Sequence, residues 1–230
     1  MTPDEIVFDF IEYIVFLLST TCHEAAHALV AKWGGDLTAA EGGQVSLNPL
    51  PHIRREPFGM VLVPLLGIVS GTGIIGWASA PYDPYWQERY PRRAAWMSLA
   101  GPIANYLIAT LAFVLLKIGL ILGVFARGGY IVHSASGNEV VDGIGMVLVV
   151  MLTLNLLLGT FNLIPFPPLD GYSVLGLFLP ERYLHKLEEF RISIRSFAFL
   201  GILLGWRLFG HYYTPLENGV LNLLISGTRT

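Results

Sequence analysis

The sequence predicts an all-α, polytopic membrane protein: a helical bundle with a short β-hairpin loop and a re-entrant segment. Three observations predict it. Charged residues make up 13% of the chain and hydrophobic residues 53%, against about 25% and 45–50% in ordinary soluble domains. The apolar residues fall in long runs rather than short alternating strands, the pattern of bilayer-spanning helices. One of those runs contains His23-Glu24-Ala25-Ala26-His27, a polar set that is costly in a bilayer unless something partners it.

Residues 1–230 read as one membrane-embedded domain, with a catalytic core over about 6–179 and interfacial and membrane helices over 180–230. A net charge of -3 is small and points to no nucleic-acid partner. The single cysteine, Cys22, excludes an internal disulfide framework and any cysteine-rich zinc site; it reads as a packing residue. The N-terminal stretch carries Asp4, Glu5, Asp9 and Glu12 where a signal peptide has basic residues, and its apolar run continues into the histidine motif. It therefore reads as a retained membrane helix.

The first helix is expected over 6–33, stopped by Gly34-Gly35. At 1.5 Å per residue it is about 40 Å long, and its histidines lie about 10–15 Å from the Trp33 end. Residues 37–40 and 44–47 flank Glu41-Gly42-Gly43, which reads as the hairpin. The apolar stretch 58–80 is broken by Gly67, Gly71, Gly73 and Gly76, with Arg54 and Arg55 before it and Arg89, Arg92 and Arg93 after it. Basic flanks on both sides place both ends in the cytoplasm, so this stretch reads as the re-entrant segment, although its length also suits a full crossing.

Residues 94–116 form a spanning helix, with Lys117 placed to snorkel at its far end. The loop 126–139 has one basic residue, Arg127, which suits the outer side. Residues 140–161 cross back. Pro165, Pro167 and Pro168 then forbid a regular helix, and Asp170-Gly171 opens a short apolar one over 172–179. Residues 180–195 are amphipathic and belong at the cytoplasmic interface. The stretches 196–209 and 220–225 are apolar but short, parts of a tilted span or a hairpin. Trp77, Trp86, Trp96 and Trp206 read as interface anchors, and His133, His185 and His211 as solvated.

This topology runs the first helix and the helix ending at Phe161 in the same direction. Their ends deliver His23, His27 and Asp170 to one depth of one membrane face. On a helix, residues four apart share a side, so the two imidazoles can face one metal ion with Glu24 beside them. A metal that keeps a site for water needs a third protein ligand. Asp170 is the best candidate; its plainer reading is a helix cap. A structural or proton-relay role is the plain reading of the histidine motif.

Three segments together carry a resemblance: His23-Glu24-Ala25-Ala26-His27, Gly101-Pro102-Ile103-Ala104-Asn105, and Asn162-Leu163-Ile164-Pro165-Phe166-Pro167-Pro168-Leu169-Asp170-Gly171. This combination resembles the site-2 protease family of intramembrane zinc metalloproteases, over about 6–179. Val45-Ser46-Leu47-Asn48-Pro49-Leu50-Pro51-His52-Ile53 resembles its compact prokaryotic branch without PDZ or CBS domains. The resemblance implies one Zn2+ held by His23, His27 and Asp170, with Glu24 as general base. It implies that Asn162 orients the scissile carbonyl or the oxyanion. Asn105 matches a further recurrent asparagine, an interhelical hydrogen bond or a substrate contact. The chain departs from the pattern at Gln44-Val45-Ser46, where many members have a basic residue and threonine. It departs again at Arg54-Arg55, where His-Ile is more often followed by Asp-Pro. His52 accordingly reads as a surface loop residue.

The expected function is hydrolysis of peptide bonds in or near transmembrane segments of membrane proteins, by a multi-pass enzyme of the cell membrane with its site nearer the cytoplasmic face. The partners are the bilayer and a substrate whose membrane segment unwinds locally, pairing with residues 44–47 by strand addition. The competing readings are a metal-ion or proton transporter or channel using the same cluster, and a catalytically silent membrane-protein binder. Glu24 favours the protease, since binding a metal does not require it.

Overall fold

In the computed structural model, which describes residues 2–128, 131–194 and 197–228, three helices are long and apolar enough to cross a membrane. The first, α1 (Pro3–Gly34), begins with a capping box in which Thr2 accepts from the Glu5 backbone and Glu5 reaches back to the Thr2 N–H. Pro3 stands at its first turn, where a missing N–H costs nothing. The helix stops at Gly35, whose φ of 98° is left-handed and opposes any side chain with a Cβ.

Beyond Gly35 the expected hairpin is absent. Residues 38–41 form a helical turn, α2 (Thr38–Glu41), and 45–47 form bends. Asp36 decides this locally: its carboxylate accepts from the backbone and hydroxyl of Thr38 and from the backbone of Asp83. Burial alone would push this carboxyl up, but those hydrogen bonds hold it below the usual carboxylate range. The fold's antiparallel pair lies elsewhere, β1 (Phe125–Gly128) with β2 (Ile131–Ser134), in what reads as a polar loop.

After α3 (Pro49–Arg55), a π-helical turn (Phe58–Leu62) leads into α4 (Val63–Ser70), and the chain then returns without helix to α5 (Pro84–Arg89). The return packs on the outgoing helix at two points, Gly73 against Gly67 and Gly76 against Gly59, where a Cβ would overlap the opposite backbone. The outgoing helix covers that interval with about eight residues, near 12 Å, and the return with about three, near 10 Å. The return is therefore extended, and the segment folds back on itself as a hairpin of helix and extended chain.

The second and third spans are α6 (Pro91–Ile121) and α7 (Glu139–Asn162). Small residues Ala109 and Ala112 on α6 let the helices approach; with Leu116 and Leu120 they bury against Leu152 of α7, Phe125 and Val132 of the sheet, and Leu224. The proline-rich segment follows, then α8 (Asp170–Val174) with a 3-10 turn (Leu175–Leu177), then α9 (Glu181–Ser193).

The two short apolar stretches near the C-terminus are one helix, α10 (Ala198–Ile225), with Pro215 inside it. Its direction is set by its last carbonyls. Lys117 donates to Leu223 and Leu224 at 3.0 and 2.9 Å, and Arg127 to the hydroxyl of Thr228 at 3.0 Å. Lys117 thus caps a neighbouring helix instead of snorkelling, because carbonyls without intrahelical partners lie within reach. Trp86 also departs from expectation. It is 7% exposed and donates its indole N–H to the Gly34 carbonyl at 3.0 Å, alongside Arg93 at 3.0 Å. An indole that finds a buried acceptor serves as a cap, not an interface anchor. Trp77, Trp96 and Trp206 are exposed as anchors would be.

Candidate metal centre

Three helices bring the site together at one end of the bundle. His23 and His27 lie on α1, four residues apart, with ring centroids 4.6 Å apart. The first helical residue of α8 is Asp170. Its Oδ2 lies 3.1 Å from His23 Nε2 and 3.3 Å from His27 Nε2. The helix-cap reading of Asp170 does not hold, since Leu169 occupies the cap position and makes no side-chain cap. His23, His27 and Asp170 are also the group of metal-ligating side chains whose donor atoms converge among the described residues.

The hydrogen bonds behind these three side chains test whether a cation fits. The Nδ1 of His27 lies 2.7 Å from the Met97 carbonyl, which can only accept. In the neutral ring the proton therefore sits on Nδ1, and Nε2 is a bare lone pair. His23 Nδ1 faces Asn105 Oδ1 at 2.5 Å in the same sense. Two bare imine nitrogens and a carboxylate oxygen then meet with no proton among them, which suits a divalent cation. A tetrahedral ion with bonds of about 2.0–2.1 Å has donor–donor edges of about 3.3 Å, and the two histidine–aspartate spacings, 3.1 and 3.3 Å, fit that. Gly101 of α6 makes room: a Cβ there would overlap both Nε2 atoms.

Glu24 is buried and lines, with the two histidines, a cavity of about 620 Å³. Asn162 stands on the same wall, where its amide donates to the Leu158 carbonyl at 3.0 Å, leaving one N–H for the cavity. The other walls come from Ala78–Ala80 and Tyr82 of the extended return, from Pro167–Leu169, and from Glu188, Arg191 and Ile192 of α9. Non-helical backbone at this depth is tolerated where it lines a cavity. The return is held from behind by Ser79. Its hydroxyl donates to Glu56 at 2.5 Å and accepts from Arg55 at 3.3 Å, and its carbonyl accepts from the buried Gln44 amide at 3.3 Å.

Several predicted roles change here. Residues 44–47 offer no strand edge, because 45–47 are bends and the Gln44 side chain is buried against Ser79. His52 is not a surface residue: it is 1% exposed, with Nε2 3.1 Å from the Ser46 carbonyl and Nδ1 without a partner. The turn of α3 folds it under although Arg54 and Arg55 follow it. Asn105 is fully buried and takes the interhelical role, between His23 and Asn155. Asn155 was not singled out from sequence. The available signal was a lone carboxamide inside an apolar span, costly unless paired.

The chain matches peptidase family M50 over residues 11–205. It is 31% identical over 217 residues to the "Putative zinc metalloprotease YwhC" of Bacillus subtilis (strain 168), covering 94% of this chain and 86% of that one. It is 31% identical over 202 residues to the "Putative zinc metalloprotease Rip2" of Mycobacterium tuberculosis (strain ATCC 35801 / TMC 107 / Erdman), covering 86% and 70% respectively. No solved structure matches.

Proposed function

The chain belongs to peptidase family M50, and on that premise we propose that it is an intramembrane zinc endopeptidase. It hydrolyses peptide bonds in or near transmembrane segments of other membrane proteins. The observation that carries this reading is the convergence of three lone-pair donors beside a buried carboxylate, Glu24, on one cavity at the end of an apolar bundle.

His23, His27 and Asp170 hold the ion, and Glu24 and Asn162 serve the reaction. Zinc bound there supplies Lewis acidity and lowers the pKa of a water it holds toward about 7. Glu24 takes a proton from the attacking water and returns it to the leaving amine. Asn162 offers its remaining amide N–H to the carbonyl oxygen as negative charge develops on it. The substrate's peptide bonds are concealed in helical hydrogen bonds, so its segment must unwind before cleavage. The extended return lines the cavity with Ala78–Ala80 and Tyr82, and it holds the unwound chain by strand addition.

The basic residues Arg54, Arg55, Arg89, Arg92 and Arg93 lie toward the end of the bundle that holds the site, and by the positive-inside rule this supports a cytoplasmic location for that end. One membrane-embedded domain, with its core over 6–179, performs the whole reaction.

The test is Glu24→Gln. The purified variant should hold one zinc per chain as the wild type does, and cleavage of a membrane-segment substrate in detergent should fall at least about 1,000-fold. Equal cleavage by the variant overturns the reading. Zinc flux into proteoliposomes that survives the substitution would favour a transporter instead.

A further inference from the structure

His27 has its tautomer set directly by a backbone carbonyl, that of Met97. His23 does not. Its Nδ1 faces a carboxamide, Asn105, and a carboxamide can turn over and present either an acceptor or a donor. If Asn105 presented its NH2, His23 Nδ1 would become the acceptor and the proton would move to Nε2, with no change of charge. An N–H on Nε2 would point at Asp170 Oδ2, 3.1 Å away. That arrangement is a good hydrogen bond, and it blocks the lone pair a metal needs.

Something must therefore decide which way Asn105 faces, and the next helix supplies it. Asn105 Nδ2 donates to Asn155 Oδ1 at 2.9 Å. Asn155 Nδ2 donates in turn to the Met151 carbonyl at 2.9 Å and to Ser19 Oγ at 2.8 Å. The Met151 carbonyl can only accept, so it orients Asn155. An oriented Asn155 presents an oxygen to Asn105, and Asn105 then presents an oxygen to His23. Both asparagines are 0% exposed, so water cannot substitute for a missing partner, and a reversed amide would leave oxygen facing oxygen.

We propose that Asn155 is a positioning residue for the metal centre. Through Asn105 it carries donor–acceptor polarity from a backbone carbonyl on α7 to His23 on α1, and so holds the imidazole in the metal-ready tautomer. Outer partners of this kind change metal affinity by about 10–100-fold when removed. The inference rests on His23 being a zinc ligand.

The experiment compares zinc affinity, by chelator competition in detergent micelles, and the visible absorption spectrum of the Co2+-substituted protein. Asn155→Leu keeps the branched four-atom side chain and removes the acceptor. It should weaken zinc about 10–100-fold and perturb the Co2+ spectrum. Asn155→Asp, held neutral by burial, keeps an oxygen toward Asn105 and a donor toward Met151; it should bind within about threefold of wild type. Thr160→Val removes a different α6–α7 contact, the 3.0 Å hydroxyl pair with Tyr106, and should leave affinity unchanged.

Equal affinity of Asn155→Leu and wild type overturns the proposal, as does an Asn155→Asp variant as weak as Asn155→Leu. Should Asn155→Leu not fold, 15N spectra of histidine-labelled, metal-free wild type decide: His23 must carry its proton on Nδ1, and a proton on Nε2 refutes the relay. His23→Ala separates the two levels. Unchanged zinc in that variant means the ligand assignment is wrong; lost zinc with an unaffected Asn155→Leu means only the relay is wrong.

Discussion

Asp170 Oδ2 lies 3.1 Å from His23 Nε2 across a sequence separation of 147 residues. The carboxylate reaches the imidazole because α8 begins where the proline-rich segment ends, against the face of α6 that also receives α1. Removing it leaves two neutral nitrogens for a dication. Asp170→Ala should lower zinc affinity by at least about 100-fold and abolish cleavage. Chelation should abolish wild-type cleavage and added zinc should restore it. Full zinc occupancy in the variant, measured by metal analysis after dialysis, would remove Asp170 from the ligand set.

Gly101 gives a prediction of unusual sign. In an ordinary helix interior, glycine to alanine is stabilising by about 1 kcal/mol. Here the added methyl would overlap the Nε2 atoms of His23 and His27. Gly101→Ala should therefore fold into the membrane normally, as judged by circular dichroism and detergent gel filtration, yet bind zinc at least about tenfold more weakly. Wild-type zinc affinity in this variant would show that α6 stands farther from the imidazoles.

The cavity wall at Ala78–Ala80 is fixed from outside the cavity by Gln44, which donates to the Ser79 carbonyl at 3.3 Å. Gln44→Leu keeps the buried volume but frees that carbonyl. Losing one hydrogen bond of about 1 kcal/mol should loosen the wall and raise KM severalfold, with zinc content unchanged. A variant that loses zinc instead would tie Gln44 to the metal centre rather than to substrate binding.

The α9 wall is latched by Arg191. Its guanidinium donates to the Tyr82 hydroxyl at 2.7 Å and to Gln87 Oε1 at 3.2 Å, and pairs with Glu188. Burial alone would lower the pKa of Arg191, but hydrogen bonding to Glu188 and Tyr82 raises it above its ordinary value. The latch therefore stays charged throughout the accessible pH range. Arg191→Ala should cost the α9 contact about 1–2 kcal/mol and raise hydrogen exchange across Glu181–Ser193 about tenfold. Zinc content should not move. Unchanged exchange would show that α9 is held by its apolar face alone.

Much of the site is legible in the sequence because its chemistry is local. His23, Glu24 and His27 share a helix, so the 3.6-residue repeat alone places both imidazoles on one side. The long apolar runs identify α1, α6 and α7 as membrane-length helices for the same reason. Where local pattern competes with distant partners, the reading fails. Residues 37–47 look like a hairpin until Asp83 meets Asp36 and Ser79 meets Gln44. His52 looks exposed beside two arginines until α3 folds it under. Lys117 looks ready to snorkel until the end of α10 arrives within 3.0 Å.

By itself the sequence determined that His23, Glu24 and His27 share one side of a long apolar helix, because helix periodicity and chain length are properties of neighbouring residues. The tertiary structure alone decided how Asp170 meets the two histidines, and that Asn155 of α7 meets Asn105 of α6, which in turn meets His23 of α1. Those depend on helices that pack side by side in a solvent-free interior, where each buried carboxamide must find one donor and one acceptor from a helix that the local sequence does not name.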